Sequence, residues 1–199
     1  MRNNTIIPTF YIAHTFNQRH FVRDELIPKL QAIGIKTLNP FYKPDGSYKS
    51  NRPEVELADE LERKYKQNPE KAKRFIRRVK TNYEDIVDTD LDMIHSADGI
   101  IAYMPNSSTG TTCEIWTCGG VFGWLAKRGY TLPVFMDKPV FLITTSERLL
   151  MHPWIKYACE NGGVFKTSRA LLMYLKKGLP NLKVIIREQR KRSKNKFRV

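Results

Sequence analysis

The chain has 199 residues, 41% of them hydrophobic and 27% charged, with a formal net charge of +14. That length and composition fit one globular domain with a well-buried core; they exclude a largely disordered chain and leave little room for a second core. No apolar run approaches the roughly 20 residues of a membrane-spanning helix and the opening MRNNTIIPTF lacks the apolar stretch of a secretory signal, so the expectation is a cytoplasmic protein with no membrane partner.

In chain order, Thr9 to Ala13 is a short apolar strand, followed by a helix around Phe21 to Ile33 with Gly34 as its stop signal, then a second strand, Ile35 to Leu38, ending at Asn39-Pro40. Tyr42 to Pro53, rich in Pro, Gly, Ser and Asn, reads as a loop. Two charged helical segments come next, Glu54 to Gln67 and Pro69 to Lys80, the second opened by Asn68 as N-cap with Pro69 in the first helical position. Leu57, Leu61 and Tyr65 share a face of the first, and Ala72, Phe75, Ile76 and Val79 a face of the second, so this insertion (about 54–80) reads as a helical hairpin beside the core, with a lid over a substrate pocket as the alternative.

From Tyr83 to His95 the pattern is helical again, and Gly99 to Met104 is a buried strand. A Ser/Thr/Gly loop, Asn106 to Thr112, leads into a helix from Cys113 to about Lys127; Pro139 to Thr144 and Gly163 to Lys166 are further strands, and Ser168 to Lys177 a last helix. Strands alternating with helices predict an α/β domain over residues 1–182, a flavodoxin- or Rossmann-like doubly wound sheet of mainly five parallel strands. In such sheets ligands bind beyond the carboxyl ends of the strands. Residues 183–199 hold eight basic side chains and one acidic, half of the chain's net charge, and read as a strand or helix end followed by a solvated basic tail. Nucleic acid is a conceivable partner for that tail but not the favoured one.

Cys113, Cys118 and Cys159 form no CxxC pair and are odd in number, which argues for reduced, buried thiols rather than disulfides or a zinc site. His20, His95 and His152 have no metal-like spacing. Neither a metal nor an organic cofactor is called for.

Two carboxylates stand out. Val87, Leu91 and Ile94 recur at helical spacing, and Asp90 falls on the same side, toward the sheet. A buried carboxylate without compensation is costly, so it implies a partner or a task. Glu114, after the loop PNSSTGTTC, shares a helix face with Cys118, Val121 and Leu125. The plain alternative for Glu114 is a capping box, since Thr111-x-x-Glu114 fits that pattern. A carboxylate beside an anomeric carbon serves as nucleophile and a second acid assists the departing base, roles that Glu114 and Asp90 could divide.

The stretch Asp90-Leu91-Asp-Met-Ile-His-Ser-Ala97-Asp98-Gly-Ile-Ile-Ala102, followed by Ser108-Thr-Gly110-Thr111-Thr-Cys-Glu114-Ile115, resembles the signature of nucleoside 2-deoxyribosyltransferases, and Phe10-Tyr11-Ile12-Ala13-His14-Thr15-Phe16 is similar to their first strand. The likeness runs from Phe10 to about Thr145 without the insertion. It implies Glu114 as nucleophile, Asp90 as the acid near the base and Tyr11 as the residue that orients the glutamate. It also implies a homo-oligomer whose neighbouring subunit completes the pocket, for which Trp154 to Tyr157 or the insertion are candidate contacts.

Two positions depart from the pattern. Where the transferases commonly have an aspartate for the free 5′-hydroxyl, this chain has Ser108, as in the related 2′-deoxynucleoside 5′-monophosphate N-glycosidases. A hydroxyl donates to a phosphate that a carboxylate would repel. Ser107, Ser108, Gly110 and Thr111 are therefore candidate substrate contacts, with Arg19 and Arg23 as sources of positive charge. His14 replaces a small residue and is a candidate contact to the base. The expected function is N-glycosidic cleavage of a nucleoside or nucleotide substrate; the competing readings are a TIR-like NAD glycohydrolase and a non-catalytic nucleic-acid or protein-binding module on the same fold.

Overall fold

Side chains that alternate along four apolar strands sort onto two faces of one sheet. The computed structural model describes residues 6–43, 60, 63–71, 74, 83–120 and 138–196. Among them five strands, β1 (Thr9–His14), β2 (Lys36–Leu38), β3 (Gly99–Tyr103), β4 (Val140–Ile143) and β5 (Gly163–Phe165), form a sheet of order β2-β1-β3-β4-β5 with every pairing parallel. Tyr11, Ala13, Ile100, Ala102, Val140 and Leu142 fill a core on one face, and Phe10, Ile12, Ile101, Phe141 and Ile143 a core on the other. Both faces are covered, which is why β1, β3 and β4 read as unbroken apolar runs. This is the doubly wound, flavodoxin-like arrangement that strand–helix alternation predicts.

After β1 the chain is helical over 16–32 (α1), but not uniformly so. Val22–Leu26 forms a π turn in which the Ile27 N–H donates to Val22. Pro28 follows, and lacking an N–H it cannot continue the ordinary ladder, so the helix widens by one residue just ahead of it. Gly34, at φ 83°, then takes the left-handed conformation that ends the helix. Of the insertion, the described residues are helical on either side of Asn68, whose Oδ1 accepts from the N–H groups of Glu70 (2.9 Å) and Lys71 (3.3 Å), the expected cap. The remainder of the insertion, including Leu57, Leu61, Phe75, Ile76 and Val79, lies outside the described residues.

The later helices are α2 (Tyr83–Ser96), α3 (Thr109–Ile115, running on as a π turn at Trp116–Gly120), α4 (Glu147–Met151), α5 (Pro153–Ala158) and α6 (Ser168–Lys196). Three expectations need correction. The helix bearing Glu114 starts at Thr109 rather than Cys113, because Ser108 is its N-cap. On α2 the apolar residues Val87 and Leu91 are exposed, and the inward side is Asp90, Met93, Ile94 and Ala97, rotated from the stripe that periodicity selects. Cys113 is exposed, whereas Cys118 and Cys159 are buried; burial pushes the Cys159 thiol up to about 12.

The largest departure is α6. It does not stop at Lys177 before a solvated tail but passes Gly178 and Pro180 and reaches Lys196. An interior proline costs about 3 kcal/mol and a glycine about 1 kcal/mol. Each aliphatic side chain removed from water returns roughly 1.5–3 kcal/mol, and Leu171, Leu175 and Ile186 are buried on this helix, with Leu179 and Leu182 partly so. Packing therefore outweighs the two local stop signals. No helix among the described residues is long and apolar enough to cross a membrane.

Candidate active site

Tyr11 stands in the middle of β1, opposite Leu38 of β2 and Ile100 of β3, and its side chain is fully buried on the face covered by α2 and α3. Its hydroxyl lies 2.7 Å from Oε1 of Glu114 and 3.1 Å from Oδ1 of Asp90. Two acids separated by 24 positions in sequence, on helices either side of β3, thus meet at one phenol. A phenol has a single proton, so it donates fully to one carboxyl group at a time and offers lone pairs to the other. Burial first, then the charges of Glu114 and Asp90, hold the Tyr11 phenol well above its ordinary pKa of 10.0, so it remains a neutral donor.

The capping-box alternative for Glu114 is not how this helix begins. The Ser108 Oγ accepts from the Thr111 N–H at 3.4 Å, and the Thr112 hydroxyl donates to the Ser108 carbonyl at 2.6 Å. Thr111 is buried in the first turn, while Ser107 and Gly110 are exposed. A methyl group added at Gly110 would meet nothing within 4 Å. Ser108, Gly110 and Thr111 are tied to the carboxyl pair through the helix that carries Glu114, and Ser107 immediately precedes its cap.

His14 ends β1 and is 5% exposed. Its Nδ1 sits 2.9 Å from the Thr15 carbonyl, so the neutral ring carries its proton there and leaves a lone pair at Nε2, which is buried and makes no hydrogen bond among the described residues. Burial pulls the imidazole down to about 4, against the weaker opposing effects of the Thr15 carbonyl, the Asn39 side chain and the Asp90 charge. The Asn39 Oδ1 accepts from the N–H groups of Phe41 (2.8 Å) and Tyr42 (3.2 Å), and its Nδ2 is a buried donor without a hydrogen-bond partner among the described residues. Phe41 packs edge-on against both His14, at 5.0 Å between ring centroids, and Phe16, at 5.7 Å. Asn39 was not among the sequence-derived candidates. Its one signal, an Asn-Pro pair at a strand end, reads as a terminator rather than as a polar group turned inward.

No family model matches this chain, and no curated protein sequence does either.

The remaining candidates are less closely gathered. Arg19 lies with its guanidinium 3.6 Å above the Phe16 ring and donates to the Phe16 carbonyl at 3.1 Å, which fixes it on the first turn after β1. Arg23 is paired with its neighbour Asp24 and lies 5.0 Å from the Tyr42 ring. Among the described residues no group of three His, Cys, Asp or Glu side chains is placed to hold a metal ion. A cavity of about 410 Å³ opens elsewhere, between β4 and α6, lined by Pro139, Phe141, Tyr174 and Ile185 among others; it touches none of the residues above.

Proposed function

We propose that this protein cleaves the N-glycosidic bond of a nucleoside or nucleoside 5′-monophosphate through a covalent glycosyl-glutamate. The observation that supports this reading is the Tyr11 hydroxyl standing between Glu114 at 2.7 Å and Asp90 at 3.1 Å. Glu114 attacks C1′, the C1′–N bond breaks, and the base leaves with a proton from Asp90. Tyr11 holds the attacking carboxylate in place. Water then adds to C1′ with Asp90, now ionised, as general base, or a second base attacks in its stead, and Glu114 is released. The monophosphate is the favoured substrate, because Ser108 uses a lone pair to cap its helix and so retains a hydroxyl proton for a phosphate oxygen.

The test is to incubate the protein with (deoxy)nucleosides, their 5′-monophosphates and NAD, and to follow free base by chromatography. Glu114→Gln is expected to lower release at least roughly 10³-fold, with an unchanged thermal melt. Release confined to NAD would favour a TIR-like glycohydrolase, and release unaffected by Glu114→Gln, or none from any substrate, would remove the proposal.

A further inference from the structure

We infer that one flank of α6 is a docking surface for the phosphate backbone of a nucleic-acid duplex. This inference is independent of the catalytic reading. Ten of the 29 residues of α6 are Lys or Arg and one, Glu188, is acidic. The basic residues are not scattered: Arg169, Lys176, Lys183 and Arg190 recur every seven positions, which keeps them on one flank, and Arg187 adds the next turn beyond Lys183. That flank runs beside the buried stripe of Leu171, Leu175 and Ile186.

Two features turn a run of charge into a surface. The stripe seats the helix on the sheet, and the guanidinium of Arg190 grips Asp98 at 3.0 and 2.7 Å, so the far part of the helix is fixed to the start of β3. Arg190 is thereby neutralised and serves as the anchor. Among the described residues Arg169, Lys176, Lys183 and Arg187 make no ion pair, which leaves their charge for a partner. From Arg169 to Arg187, the span of the free cations, the helix rises about 27 Å, within the ~34 Å of one duplex turn. A rigid, single-sign line of this length matches a polyanion of regular charge spacing.

An acidic bilayer is the less suitable occupant. A helix that lies on a membrane inserts its apolar face, and that face of α6 is already committed to the core. Of the exposed apolar side chains on α6, Tyr174 and Ile185 line the cavity beside β4, and Met173 and Val184 are separated by Lys177 and Pro180 rather than forming a stripe.

The experiment is fluorescence anisotropy of the full chain with a labelled duplex of about 20 base pairs, titrated between about 50 and 200 mM salt. Binding with a log–log salt slope of about −3 to −4 is expected from four phosphate contacts. Lys183→Gln alone should reduce that slope by about 1. The triple change Lys176→Glu, Lys183→Glu, Arg187→Glu should weaken binding at least about tenfold with an unaltered thermal melt; if it does not fold, the corresponding Gln variant takes its place. Absence of duplex binding at low salt, a slope near zero, or variants that bind like the wild type would each overturn the inference. So would tighter binding to vesicles containing phosphatidylserine than to the duplex.

Discussion

The two ends of the sheet treat their acidic residues differently. At the amino ends of the strands, Asp98 accepts the Thr9 N–H at 2.8 Å and is clasped by Arg190, while the Lys138 ammonium closes the end of α2 by donating to the carbonyls of Ile94 (2.9 Å), His95 (2.6 Å) and Ala97 (2.5 Å). Each charge there is set against an opposite charge or an unsatisfied helix-end carbonyl, and folding alone accounts for it. At the other end, Asp90 and Glu114 converge on one phenolic proton. Two carboxyl groups brought to one hydroxyl stand closer to a like charge than folding favours, so this pair is the place to test for chemistry. The comparison predicts that changes at the amino end cost stability and leave chemistry alone, with the reverse for the acid pair.

The largest test is Lys138→Met. Burial pulls this ammonium down to about 8, yet its three carbonyl partners hold it at the terminus of α2. Removing it leaves those carbonyls without their donor, for an expected loss of about 4 kcal/mol in chemical denaturation. Base release per folded molecule should not change. A variant of normal stability and no activity would break the comparison.

The next effect depends on pH and belongs to the carboxyl end. His14 is kept neutral in the folded protein down to about pH 4, whereas the unfolded ring takes its proton near 6.5. The unfolded chain therefore binds more protons between those values. The associated stability is complete above pH 6.5 and is lost as pH falls toward 4, by about 3 kcal/mol in all. His14→Gln should flatten this part of the stability profile measured by urea unfolding at about pH 7 and about pH 4.5. A variant that keeps the full pH dependence would show that another group carries it.

How much of this was legible in the sequence follows the range of the forces involved. Gly99–Tyr103 and Val140–Ile143 announce themselves because strands covered on both faces are apolar throughout. Asp90 and Glu114 stand out as acids next to apolar neighbours at helical spacing, although the true inward side of α2 omits Val87 and Leu91. What was illegible rests on contacts distant in sequence. The persistence of α6 past Pro180 depends on Ile186 in the core and on Asp98, 92 positions away from Arg190. The inward turn of Asn39 depends on the amides of Phe41 and Tyr42 wrapping its oxygen. The short helices α4 and α5 leave no mark in the sequence, since five and six residues carry too little periodicity.

The smallest effect sharpens the comparison most, because it isolates one contact. In the Arg190–Asp98 pair the arginine side chain is 47% exposed and the aspartate 9%. Water screens the cation, so Arg190→Ala should cost only about 1 kcal/mol. Asp98 retains the Thr9 N–H as a donor, so the start of β1 should stay intact. The change should appear instead as faster amide hydrogen exchange in the far part of α6, beyond Ile186, with exchange near Leu171 and Leu175 unaltered. Because the contact lies at the amino end of the sheet, base release should be the same as in the wild type. Were Arg190→Ala to abolish it, charge at the two ends of the sheet would be coupled, and the separation between a structural end and a chemical end would fail.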